Sequence, residues 1–170
     1  MGASGPGSDV FRVGVRVGLD WGDVRIGVAR CDPAGVLAYP YGTVAAGERE
    51  IDDVLAVIAE VEPIEVVVGL PRSMSGGEGP AAVKVRERAV RLAGATTLPV
   101  RLVDERLSTV AASRRLREGG TRAKEQRAVI DAAAAAAILE HALALERARS
   151  APPGELVSAP TACGETMTTS

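Results

Sequence analysis

The sequence predicts an α/β protein: a five-stranded mixed sheet, three antiparallel strands followed by parallel ones, flanked by helices. Three observations carry this expectation. The chain opens with three short apolar runs joined by tight connections, the pattern of an antiparallel meander. From about residue 50 the apolar period changes, and helical stretches alternate with short apolar runs. Of 170 residues 46% are apolar but only 2% aromatic, so the core has to be Val, Leu, Ile and Ala.

Each element has its own warrant. Residues 13–20 climb through Val13, Val15, Val17 and Leu19 and stop on Asp20. Residues 24–31 form a second run, and the Asp-Pro-Ala-Gly at 32–35 supplies turn chemistry before a third strand over 36–44. Ile51, Val54, Leu55, Ile58 and Val61 recur on one face of a helix whose other face is acidic, and Pro63 ends it. Residues 64–70, IEVVVGL, read as a central strand covered on both faces. A glycine-rich loop, PRSMSGGEGP, leads to a helix marked by Ala82, Val85, Ala89 and Leu92 and closed by Gly94. Residues 98–105 are the fifth strand. Ser108 can cap a helix reaching about Glu118, terminated by Gly119-Gly120. The last helix covers about 124–149 and carries six consecutive alanines, Ala132 to Ala137. Residues 1–11 and 150–170, rich in Gly, Pro and small polar residues, read as disordered tails around a folded unit at 12–149.

Composition also excludes. Two distant cysteines, Cys31 and Cys163, make a disulfide scaffold or zinc site a poor reading. One histidine, His141, and no GxSxG-type motif leave little for a serine or cysteine mechanism. Scarce aromatics rule out base stacking as the main hold on a nucleic acid. No apolar run looks long enough to cross a bilayer, and the N-terminus lacks signal-peptide character, so the expected location is cytoplasmic, with no membrane partner. Net charge is −2, yet residues 48–65 carry seven acids against one base, and residues 101–127 carry eight bases against four acids. That asymmetry suits a molecule with one cationic face, or two solvated helix faces.

Carboxylates stand where an acid is costly without a partner or a task. Asp20 closes the first strand, Asp104 and Glu105 the fifth, and Asp131 lies in the last helix in phase with Ile138. Clustered carboxylates repel one another, and a divalent cation removes that cost. Hard ions such as Mg²⁺ take such oxygens, and two ions about 4 Å apart can assist an in-line phosphoryl displacement. Spacing alone does not bring the acids together. Asp20 could open a turn with Gly22, Glu105 could be solvated or pair with Arg106, and Asp131 could cap the alanine helix.

Four motifs in order, GLDWGDVRIGVA (18–29), VVVGLPRSMSGGEG (66–79), DERLST (104–109) and VIDAAAAAAIL (129–139), resemble the YqgF/RuvX family of RuvC-like proteins in the RNase H-like superfamily. The resemblance covers nearly all of 12–149. It implies an RNase H-like fold and an acidic cluster, Asp20, Glu105 and Asp131, that is both catalytic and metal-binding, with Mg²⁺ or Mn²⁺, as two ions. It also implies a nuclease processing the 5′ end of precursor 16S ribosomal RNA, or alternatively a Holliday-junction resolvase on four-way DNA. A resolvase would suit a homodimer. Arg25, Arg72 and Arg106 lie in the motifs beside the acids and are candidates for nucleic-acid phosphate, Arg106 equally for pairing with the acids. Arg114, Arg115 and Arg117 could add backbone contacts. The loop after Pro71 lacks an acid that relatives often carry, which leaves the triad intact but bears on substrate preference. Two rivals remain: an actin-like ATPase, for which 170 residues leave no second domain, and a non-catalytic ribosome-assembly factor.

Overall fold

The computed structural model describes residues 11–72, 77–105 and 124–160. The helix expected at 108–118, Arg106 and the Arg114, Arg115 and Arg117 cluster lie outside them, as do residues 1–10 and 161–170 of the expected tails. The elements are β1 (Arg16–Trp21), β2 (Arg25–Cys31), β3 (Ala38–Ala45), α1 (Glu50–Val61), β4 (Glu65–Leu70), α2 (Pro80–Ala95), β5 (Val100–Asp104), α3 (Lys124–Arg149) and β6 (Glu155–Leu156).

The sheet order is β3-β2-β1-β4-β5-β6. β1, β2 and β3 form the antiparallel meander, with a bulge between Val28 and Ala29. β4 and β5 join parallel to β1 and to each other, as the helical crossovers between them require. Strand alternation divides the side chains between two cores. Val17, Leu19, Trp21, Ile26, Val28, Val66, Val68, Leu70, Val100 and Leu102 face α1 and α2, which contribute Val54, Ile58, Val61, Ala82, Val85, Ala89 and Leu92. On the other face, Ala29, Cys31, Val67 and Val103 meet Ala134, Ala135, Ile138, Leu139, Ala142 and Leu143 of α3. Each buried leucine or isoleucine there contributes about 1.5–3 kcal/mol of burial.

Beyond shifts of a few residues at strand ends, two differences from the sequence reading bear on the fold. α2 runs through Gly94 to Ala95. An added Cβ at Gly94 would stand 3.0 Å from Cδ of Pro160, so this glycine makes room for the C-terminal segment and does not end the helix. That segment is itself the second correction. Residues 150–160, expected to be a tail, turn back at Ser150 and Gly154, both in the left-handed region. They add a sixth strand, β6, antiparallel to β5, and the amide of Val157 donates to Val100 O at 2.8 Å. A Cβ at Gly154 would lie 2.1 Å from Leu102 O, so only glycine lets the strand approach. A composition of Pro, Gly and Ser suggests a tail, but here it builds an edge strand.

By length and composition α3 is apolar enough to cross a membrane, against the sequence expectation. Its packing is that of a core helix: Ala134, Ala135, Ile138, Leu139, Ala142 and Leu143 are all buried against the sheet. Alanine raises the average without making a lipid-facing surface.

Candidate active site

Asp20 is the fifth residue of β1 and shares a sheet face with Arg16 and Gly18, the face covered by α3. Its register partner in β2 is Gly27. Leu19 is level with Val68, so the residue beside Asp20 in β4 is Gly69. Asp20 is thus flanked on both neighbouring strands by residues without side chains.

The other two acids fill the space those glycines leave. Glu105 follows the last residue of β5; its amide donates to Leu70 O at 3.2 Å, which carries the strand geometry one step further. Its side chain falls on the same face, and Oε2 lies 3.0 Å from where a Cβ on Gly69 would stand. Asp131 sits within α3, eight positions into a helix that begins at Lys124, and so is not its N-cap. Its carbonyl oxygen lies 2.0 Å from the position of a Cβ on Gly27. Asp20, Glu105 and Asp131 are exposed by only 2%, 4% and 4%. Three elements distant in sequence therefore deliver three buried carboxylates to one face at the carboxyl ends of β1 and β5.

An ionised carboxylate out of water needs compensation, and three together raise the cost. For Asp131 part of that compensation is visible: Arg25 Nε donates to Oδ2 at 3.1 Å. Arg25, a phosphate candidate in the sequence, thus lies against an acid of the site. Arg72 stands at the rim, 3.7 Å from Glu78 and 3.8 Å from Asp104. Glu78, the acid of the glycine-rich loop, is held below the ordinary carboxylate range by the hydrogen bond from Arg86, with burial opposing. His141 is half-buried on α3, away from this end of the helix.

The donor set, hard carboxylate oxygens over a cradle of two glycines, fits a divalent cation in kind. It is not closed: among the described residues no three His, Cys, Asp or Glu side chains stand as a ready ligand group, and the Asp131 carboxylate is turned toward Arg25.

At the opposite end of β1 lies a network that sequence reasoning missed. Arg16, Glu65 and Glu146 are exposed by 1%, 0% and 2%. Glu65 accepts from Arg101 Nε at 2.7 Å and from Arg12 at 3.0 and 3.1 Å; Glu146 accepts from Arg12 at 2.8 Å and Arg16 at 3.1 Å. The one available signal was Glu65 inside the apolar run of β4. Glu146 lies fifteen residues after Asp131 on α3, about 22 Å along the axis at about 1.5 Å per residue. The two acids pin α3 antiparallel to β1, one at each end.

A sheet whose first five strands take the order 3-2-1-4-5, antiparallel then parallel, with an acid near the end of its first strand and a long helix across one face, defines an RNase H-like domain. Residues 14–145 match the family described as RuvX, Holliday junction resolvase, and the chain belongs to that family. A relative from Nocardioides sp., provisionally named a pre-16S rRNA nuclease, is 55% identical over 153 residues, 86% of this chain and 98% of the relative. One of the same name from Streptomyces coelicolor is 54% identical over 151 residues, covering 85% and 89%. Among solved structures, T. thermophilus RuvC in complex with a Holliday junction substrate aligns over 82% of this chain and 99% of that one, at 22% identity and a TM-score of 0.45.

Proposed function

We propose that this protein is a divalent-metal-dependent nuclease that hydrolyses phosphodiester bonds at the 5′ end of precursor 16S ribosomal RNA, in the cytoplasm. The observation that carries the reading is the delivery of Asp20, Glu105 and Asp131, all buried, to one sheet face over Gly27 and Gly69. The relatives' names supply the substrate. Asp20, Glu105 and Asp131 are the ligands for Mg²⁺ or Mn²⁺, as two ions, and the bound metal supplies an activated water and a stabilised leaving oxygen. The chain's own residues bring the acids there from separate elements: Asp20 from β1, Glu105 from the residue after β5, and Asp131 from a helix packed along the sheet. Arg72, half-buried at the rim, and Arg106 hold substrate phosphates.

The test is cleavage of a precursor 16S 5′-end RNA and of a four-way DNA junction by the purified protein with Mg²⁺ or Mn²⁺. RNA cleavage that Asp20→Asn abolishes supports the reading. An Asp20→Asn protein as fast as the parent refutes the site. Cutting of the junction alone, in symmetric pairs by a dimer, favours the resolvase reading that the family description suggests. RNA binding that survives Asp131→Asn, without turnover under any metal, favours an assembly factor.

A further inference from the structure

We propose that Arg25 competes with the catalytic cation for Asp131, and that metal binding releases its guanidinium to the substrate phosphate. This rests on the metal-dependent reading above and adds to it a positioning residue with two alternating partners.

The geometry points to this role in three ways. First, the backbone of Arg25 is fixed: the amide of Gly22 donates to its carbonyl at 3.0 Å across the β1–β2 turn. A Cβ on Gly22 would lie 2.6 Å from the same oxygen, so the turn is tight. Any motion belongs to the side chain. Second, the bond to Asp131 is a single contact through Nε at 3.1 Å, not the two-point fork that guanidinium and carboxylate form when locked together. The guanidinium carries five N–H donors and keeps most of them for another acceptor. Third, the two ends of the contact differ in access. The Arg25 side chain is 17% exposed and that of Asp131 6%, so the cation reaches in from the cleft edge and can retreat to it.

Electrostatics sets the direction of the effect. A guanidinium on Asp131 neutralises the carboxylate that a divalent ion needs, and its own charge repels that ion. Metal entry must therefore displace it. Beside a cleft holding nucleic acid, a backbone phosphate is the anion from outside the chain that a displaced guanidinium can meet. The opposite arrangement, in which Arg25 stays on Oδ2 and steadies Oδ1 for the metal, makes the contrary prediction for affinity.

The experiment is calorimetric titration of the full chain with Mn²⁺, comparing the parent with Arg25→Gln, Arg25→Lys, Asp131→Asn and the Arg25→Gln/Asp131→Asn double variant. Melting in metal-free buffer selects variants that remain folded. Arg25→Gln is expected to bind Mn²⁺ about fivefold more tightly, the scale of one partly exposed ion pair. Arg25→Lys, which retains a point charge, falls between it and the parent. The gain disappears in the Asp131→Asn background, as a cycle on one contact requires. With Mn²⁺ present, Arg25→Gln binds a cleavage-resistant phosphorothioate RNA several-fold more weakly, and its salt slope falls by about one. A parent that binds Mn²⁺ while folded Arg25→Gln binds it equally or more weakly overturns the competition and leaves the metal site standing. A parent that takes up no Mn²⁺ overturns the metal reading and the proposal with it.

Discussion

Substituting Gly27 by alanine puts a methyl carbon 2.0 Å from the carbonyl oxygen of Asp131 and 2.5 Å from its carbonyl carbon. Real Cβ atoms essentially never come within 3.0 Å of a neighbour and ordinary contact begins at 3.4 Å, so strand and helix must separate by about 1.0–1.4 Å at this point. The opposing atoms are helix backbone, which cannot rotate away as a side chain can. Separation also opens the contact below, where Gly18 lies under Ala135 O and Leu139. Overpacking of this kind costs about 1–3 kcal/mol and occasionally more; backbone against backbone belongs at the upper end, about 3 kcal/mol. For a domain of this size that lowers Tm by about 6–12 °C. The chemical effect should be larger still. Lifting Asp131 by about an ångström spoils its position relative to Asp20, and a misplacement of about 1 Å can cost about a hundredfold in rate. The built-in control is Gly69→Ala. Its nearest neighbour is Ile138 Cδ1 at 2.4 Å, the far end of a side chain that can change rotamer. Thermal melting by circular dichroism, with RNA cleavage rates on the same preparations, checks both. A Gly27→Ala protein that melts within 2 °C or so of the parent, or no lower than Gly69→Ala, refutes the close approach.

Other consequences can be measured independently. Saturating Mn²⁺ should raise the parent's Tm, by the equivalent of about 2.7 kcal/mol at a hundred times Kd, and leave Asp20→Asn nearly unmoved in a thermal-shift titration. Glu65→Ala removes a fully buried carboxylate from Arg12 and Arg101. Because both arginines keep some access to water, the loss should sit near the low end of the range for a broken buried pair, about 3 kcal/mol in urea unfolding. Arg86→Ala, which breaks the exposed contacts to Glu78 and Glu155, should cost under about 1 kcal/mol in the same assay. Burial pushes the Glu146 carboxyl up, but hydrogen bonding from Arg12 and the charges of Arg16 and Arg12 outweigh it, so it lies below its ordinary value of 4.5. A depressed carboxyl gives its stabilisation in full above that ordinary value and loses it as pH falls through the lower, folded one. The parent's Tm should therefore drop more steeply below about pH 4.5 than that of Glu146→Gln.

Much of the architecture was written in local pattern. Alternation and turn chemistry specify β1, β2 and β3, and the change to a helical period specifies α1, α2 and α3, because each rests on contacts between residues near in sequence. The three acids stood out in the sequence too, since an acid at a strand end or on the inner face of an alanine helix is conspicuous. Their placement on one sheet face did not. It depends on the registers that set Asp20 beside Gly27 and Gly69, and on a helix that approaches because both lack a Cβ. Register and close approach are relations between distant segments, and no local period encodes them. The same holds for β6, whose pairing with β5 overrides a tail-like composition, and for Arg25, whose partner lies 106 residues away. The buried arginine–glutamate network at the far end of β1 joins four segments in the same way. Sequence alone thus determined most of the described elements and which side chains carry charge. Tertiary packing decided which of those charges meet, because the free energy of a buried carboxylate depends on its neighbours in space and not on its neighbours in the chain.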